Sequence, residues 1–191
     1  MPRLMALSLR PPWGYLIKHH GKRVENRQWA EHGQNHQRAV EQVGHWVALH
    51  GSKYRPEHQL AMAGVFMDLL VKGLVPESDN LMAQAVEHPT RFATEGIFAL
   101  ARLAEFTTEH PSPWAMPGHF HLVLDQLVFL EQPITCWGQE GMWEVTDEKV
   151  KQQLREVYRQ AKKVESFIQN PEVPRFCSAG TQLNPTLRQK E

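Results

Sequence analysis

Apolar runs in this chain are short, and each is cut off by proline, glycine or a burst of charge. Leu4-Met5-Ala6-Leu7-Ser8-Leu9 reads as a short buried strand that Arg10-Pro11-Pro12 stops. Proline suits the first turn of a helix, and Trp13, Leu16 and Ile17 then recur at helical spacing until His19-His20-Gly21. Gly21 to Trp29 is dense with charge and reads as extended. Ala30 to Gly44 is rich in Gln and His, a long loop or a solvated helix. Trp46 to Gly51 is a second strand. From Pro56 to about His88 the spacing turns helical, with Leu60, Val65, Leu69 and Leu70 as one apolar face. A break at Pro76-Glu77-Ser78 precedes Leu81, Met82, Ala85 and Val86.

Glu95 to Phe106 and Phe120 to Leu130 read as further strands. In the latter, Phe120, Leu122 and Leu124 alternate with His121, Val123 and Asp125, and the alternation slips after Gln126, which predicts a bulge. Gly141 to Val145 is a short closing strand, after which Thr146 is a candidate N-cap for a helix reaching about Ile168. Prolines 171, 174 and 185 make residues 170–191 an extended tail. This order gives an α+β fold in which about five to six short strands can close into a small barrel. The main domain covers residues 1–145 with a helical insert over about 56–90, followed by a C-terminal helix over 146–169 and the tail.

An apolar fraction of 41% supports a sizeable core, and no apolar run approaches the ~20 residues of a membrane span. Cys136 and Cys177 are the only cysteines, too few for a disulfide framework or a four-thiolate zinc site. The opening apolar stretch is too short for a secretory signal, so a reducing cytoplasm is the expected compartment. Net charge is zero but unevenly spread: residues 1–29 hold six bases against Glu25, whereas residues 57–109 hold eight acids against three bases. Such polarity lets one face meet phosphate without an overall basic chain, and it also fits ordinary solvated surface.

The charged segment after the first helix carries the chemistry. In an extended chain Glu25 and Arg27 share a face, and Lys22 joins them only if a turn or bulge intervenes. With Trp13 and Trp29 nearby, the set supplies a cation, a carboxylate, a guanidinium and aromatic plates. Those are the groups that meet phosphate, a base edge and a base face. Read without a ligand, Glu25 and Arg27 are a surface ion pair worth about 0–1 kcal/mol.

Ala6-Leu7-Ser8-Leu9-Arg10-Pro11-Pro12-Trp13, followed by Gly21-Lys22-Arg23-Val24-Glu25-Asn26-Arg27-Gln28-Trp29, resembles the ASCH domain (activating signal cointegrator homology) of the PUA-like superfamily. Looser likeness runs through Trp46–Ser52, Gly96–Ala101, Ser112-Pro113-Trp114 and Gly138–Val145, covering roughly residues 4–145. The resemblance implies a PUA-like β-barrel and a cleft for RNA, single-stranded nucleic acid or a modified nucleotide. Ser8, Arg10, Trp13, Lys22, Glu25, Arg27 and Trp29 would line it. It also implies an alternative, a hydrolase acting on an acylated cytidine or on RNA. There Lys22 matches the family's lysine, but Glu25 stands where a threonine hydroxyl is expected and would hold Lys22 protonated. The polar stretch 30–44 replaces a link that usually carries Arg-Gly, so one phosphate-contacting arginine is either missing or supplied by Arg38. The acidic insert would act as a lid.

Ser52 and Lys53, after the second strand, are further candidate ligands or a plain turn. Trp114 is a second stacking wall or half-buried packing. Trp137 and Trp143 are expected in the barrel core. His32 with His36, and His119 with His121, could each offer two nitrogens on one face, but no acidic or thiolate partners accompany them, and no metal or cofactor is expected. P-loop, nucleophile-elbow and zincin motifs are missing from the sequence. A protein partner recruited by the insert or tail is the third reading.

Overall fold

The computed structural model describes residues 3–169. Six strands, β1 (Met5–Leu9), β2 (Val24–Arg27), β3 (Trp46–Gly51), β4 (Gly96–Thr107), β5 (Phe120–Ile134) and β6 (Met142–Glu144), form one sheet in the order β2-β5-β4-β3-β1-β6. β1 and β3 run parallel, with Leu7 opposite Leu49, and the other neighbours are antiparallel. The sheet curls into a half-barrel. Five helices accompany it: α1 (Trp13–His19), α2 (Gln34–Gln42), α3 (His58–Val71), α4 (Leu81–Glu87) and α5 (Glu148–Gln169). The fold is α+β, as the order of elements predicts. Among the described residues no helix is long and apolar enough to cross a membrane.

β1 and β3 are apolar apart from Ser8 and His50, and their side chains bury both faces of the sheet, as expected for strands covered on each side. Leu7, Leu9, Val47, Leu49, Ala99 and Leu122 face one layer with Ile17 of α1 and Ala39 of α2. Ala6, Ala48, Leu100 and Trp143 face the other, against Val150 and Leu154 of α5. A third cluster joins Leu16 of α1 to the insert through Met62, Phe66, Leu69, Leu81 and Phe92.

The slip in β5 is a bulge. Leu100 pairs with Val128 and Arg102 with Asp125, so two steps on β4 match three on β5, and Gln126 takes up the extra residue at φ 44°. The polar stretch after β2 resolves as a helix, α2, whose one fully buried side chain is Ala39. Three expectations are corrected. The buried face of α3 is Met62, Phe66 and Leu69, whereas Leu60 is 86% exposed. Asp147, rather than Thr146, caps α5: its Oδ1 accepts the Lys149 and Val150 amides at 2.8 and 3.2 Å. Trp143 is in the core, but Trp137 is 92% exposed. The tail and Cys177 lie outside the described residues.

Candidate functional site

A turn at Gly21, whose φ of 68° suits glycine, precedes β2 and frees Lys22 from strand alternation. The Lys22 amide donates to the Leu16 carbonyl at 3.3 Å, and Arg23 locks the turn by donating to the carbonyls of Ile17 and Lys22. Lys22 therefore swings onto the face that Glu25 and Arg27 share. Its Nζ meets Glu25 Oε2 at 2.6 Å and also donates to the Val24 carbonyl. Arg27 Nη2 lies 3.2 Å from Glu25 Oε1 and donates to the Ser8 carbonyl at 2.5 Å. The ring of Trp13 has the Lys22 ammonium 5.3 Å from its centroid, and the Arg27 guanidinium lies 5.7 Å from that of Trp29.

This cluster is internal. Lys22 is only 1% exposed and Glu25 4%. Burial is the largest influence on Lys22 and pulls its ammonium below the ordinary lysine range; Glu25 opposes this and Arg27 adds to it. Both influences expected on Lys22, the neighbouring Glu25 and desolvation, are therefore present, and they oppose each other. Two polar atoms nearby are buried with no hydrogen-bond partner among the described residues, Arg27 Nε and Ser52 Oγ. Both belong to residues hung from the end of β1: Arg27 is bonded to Ser8 O, and the Ser52 amide donates to Leu9 O at 2.9 Å. Buried groups of this kind normally find a partner, so the end of β1 can still receive a donor and an acceptor.

Ser8 is shared with a second cluster. Its Oγ accepts from Trp143 Nε1 at 3.0 Å and stands 3.4 Å from His50 Nδ1, while His50 Nε2 lies 3.3 Å from the Cys136 carbonyl. The carbonyl can only accept, so Nε2 carries the proton and Nδ1 accepts from the serine hydroxyl. Burial accordingly lowers the His50 pKa.

Asn26, between Glu25 and Arg27, points the other way and pins the loop between β4 and β5. Its Nδ2 donates to Trp114 O at 2.9 Å. Its Oδ1 accepts from the Met116 amide at 3.0 Å and from His121 Nδ1 at 2.9 Å.

Of the residues singled out in the sequence, Ser8, Trp13, Lys22, Glu25, Arg27 and Trp29 are joined by direct contacts, and Ser52 adjoins them through Leu9. Arg10 is exposed and 3.5 Å from Glu140, and Lys53 is exposed. Trp114 packs half-buried on the insert's core. Arg38 does not substitute in the cluster; its Nη1 donates to the Met142 carbonyl at 2.6 Å. His32 and His36 pack edge to face, His36 also against Phe106 and Phe120, while His119 contacts the Pro117 carbonyl. His50 and Asn26 are organising residues to which sequence reasoning assigned no role, and His121, weighed there only beside His119 as a nitrogen pair, instead bonds Asn26. Strand alternation around Glu25 and Arg27 was the available signal for Asn26, because it sends that side chain to the opposite face. A separate groove of about 720 Å³ runs beside α5, with Leu4, Trp46, Leu100, Leu154 and Tyr158 in its lining. Compared with known proteins, the chain matches no family model, and no curated protein matches it significantly.

Proposed function

We propose that this chain is an ASCH-type, PUA-like domain of a reducing cytoplasm that binds RNA, single-stranded nucleic acid or a modified nucleotide at the seam between β1 and β2. The observation that carries this reading is the convergence of Lys22, Glu25 and Arg27 on Ser8, with the unpartnered Arg27 Nε and Ser52 Oγ beside them. Arg27 Nε is a donor for a base carbonyl or phosphate oxygen, and Ser52 Oγ can donate or accept. Each Glu25 oxygen holds one cation and keeps a further lone pair for an exocyclic amine. Trp13 and Trp29 supply the apolar walls.

Binding to single-stranded RNA, single-stranded DNA and modified nucleosides, titrated with salt, tests the proposal. Wild type is expected to bind at least one of them, and Arg27→Ala to bind more weakly. A chain that retains none of them even at low salt overturns it.

One observation favours hydrolysis at the same seam. Burial lowers the Lys22 pKa, the direction a lysine base requires. Incubation with acetylcytidine and with RNA, wild type beside Lys22→Ala, separates the two readings. Turnover lost in the variant assigns a hydrolase, and unchanged substrates leave the binder.

A further inference from the structure

Helix α3 is apolar on two opposite faces, and the fold uses one of them. Met62, Phe66 and Leu69 are buried against the insert's core. On the outer side Leu60 is 86% exposed, Met67 46% and Val71 79%, and Gly64 between them faces open space. At ~100° per residue these four positions fall within about 60° of helix circumference, one continuous stripe. Val86 of α4, 58% exposed, extends it: its carbonyl accepts from Gln59 Nε2 at 2.7 Å, next to Leu60.

We infer that this stripe is a self-association surface, on which α3 of a second copy packs antiparallel, crossing near Gly64. The area fits. The exposed side chains offer roughly 400 Å² of apolar surface per copy, the size at which a patch marks a contact site. Two facing copies with their rims cover on the order of 1,000 Å², the threshold for a specific, reversible dimer. Gly64 has no side chain to hold the backbones apart at the crossing.

Charge is compatible with the antiparallel direction. Arg55 and Glu57 pair at 3.8 Å at the N-terminal end of α3, and Asp68 and Lys72 pair at 2.6 Å at the C-terminal end. Each end therefore carries one acid and one base. Antiparallel packing brings Glu57 of one protomer beside Lys72 of its partner, twice by symmetry, and opposes the helix dipoles. Parallel packing sets Glu57 against Glu57 and Lys72 against Lys72. An anionic lipid surface is the poorer occupant, because residues 57–88 hold Glu57, Asp68, Glu77, Asp79 and Glu87 against Lys72 alone.

Sedimentation of the full chain across the micromolar range tests the inference. Wild type is expected to show a concentration-dependent monomer–dimer equilibrium. The double variant Leu60→Glu/Met67→Glu should weaken it roughly tenfold or more with an unchanged thermal melt, since both side chains lie outside the core. Glu57→Lys and Lys72→Glu should each weaken the dimer, and combining them should restore it. A wild type that stays monomeric, a dimer indifferent to the apolar pair, or charge variants whose losses add rather than cancel each overturns the proposal.

Discussion

Arg27 of β2 donates to the carbonyl of Ser8 on β1, although three strands separate β2 from β1 in the sheet. The contact spans the open side of the half-barrel. Ser8 also donates its own amide to Gly141 O, so the guanidinium continues the β1 edge where the three-residue β6 stops. Arg27→Ala should lower stability by about 2 kcal/mol, the worth of hydrogen bonds made by a charged donor. Arg27→Lys should recover only part, because an ammonium cannot fork between Ser8 and Glu25. Urea unfolding of the three proteins reads this directly.

Glu25 sits between two cations, and its removal leaves both without their carboxylate. Glu25→Gln should cost about 3–5 kcal/mol, and Lys22→Met a similar amount by stranding Glu25. The double variant Lys22→Met/Glu25→Gln should be far less unstable than the sum of the single changes. A double-mutant cycle by chemical denaturation checks it; simple additivity would mean that the buried pair is not coupled.

His50 sets a dependence on acid. Burial lowers its folded pKa below the ordinary histidine value, so the unfolded chain binds the proton more readily. The stability this confers is complete above about pH 6.5 and is lost as pH falls from there toward the lower folded value. His19, His20 and His121 are shifted in the same direction. The share due to His50 is therefore the difference between wild type and His50→Gln, whose melting temperature should fall less between about pH 7 and pH 5. Equal losses in the two proteins would remove His50 from the account.

Asn26 fastens the segment between β4 and β5 by two hydrogen bonds and is itself held to His121 of β5 by a third. Asn26→Ala should cost about 1–3 kcal/mol by leaving these groups unsatisfied. It should also open the segment around Trp114 to limited proteolysis, while cleavage elsewhere stays unchanged. Asn26→Asp keeps the acceptor and loses the donor to Trp114 O, so an intermediate cleavage rate is expected.

Much of the scaffold is legible in the residues because local rules act there without competition. β1 and β3 announce themselves as mainly apolar runs, interrupted only by Ser8 and by His50, and Gln126 marks its bulge by breaking an alternation. Lys22, Glu25 and Arg27 are close in sequence, so a single turn at Gly21 suffices to gather them. What was misread depends on distant partners. Leu60 belongs to the same apolar helix as Leu69, but the core occupies only one side of α3, and spacing within the helix does not say which. Trp137 and Trp143 look alike in sequence; α5 covers one of them, and the other lies on an exposed loop. Ser8, His50 and Asn26 acquire their roles through neighbours 42 to 135 positions away, beyond the reach of any local motif.

Among the described residues a side chain, that of Arg27, fastens β2 to β1 on the open side, and no run of main-chain bonds does so. Parting the two therefore leaves all six strands paired as they are, and it requires Arg27 to break its bonds to the Ser8 carbonyl and to Glu25. On the proposed reading, a ligand entering from this side meets no strand that has to unzip, so its arrival rate should follow the breaking of those bonds and be insensitive to the global unfolding rate.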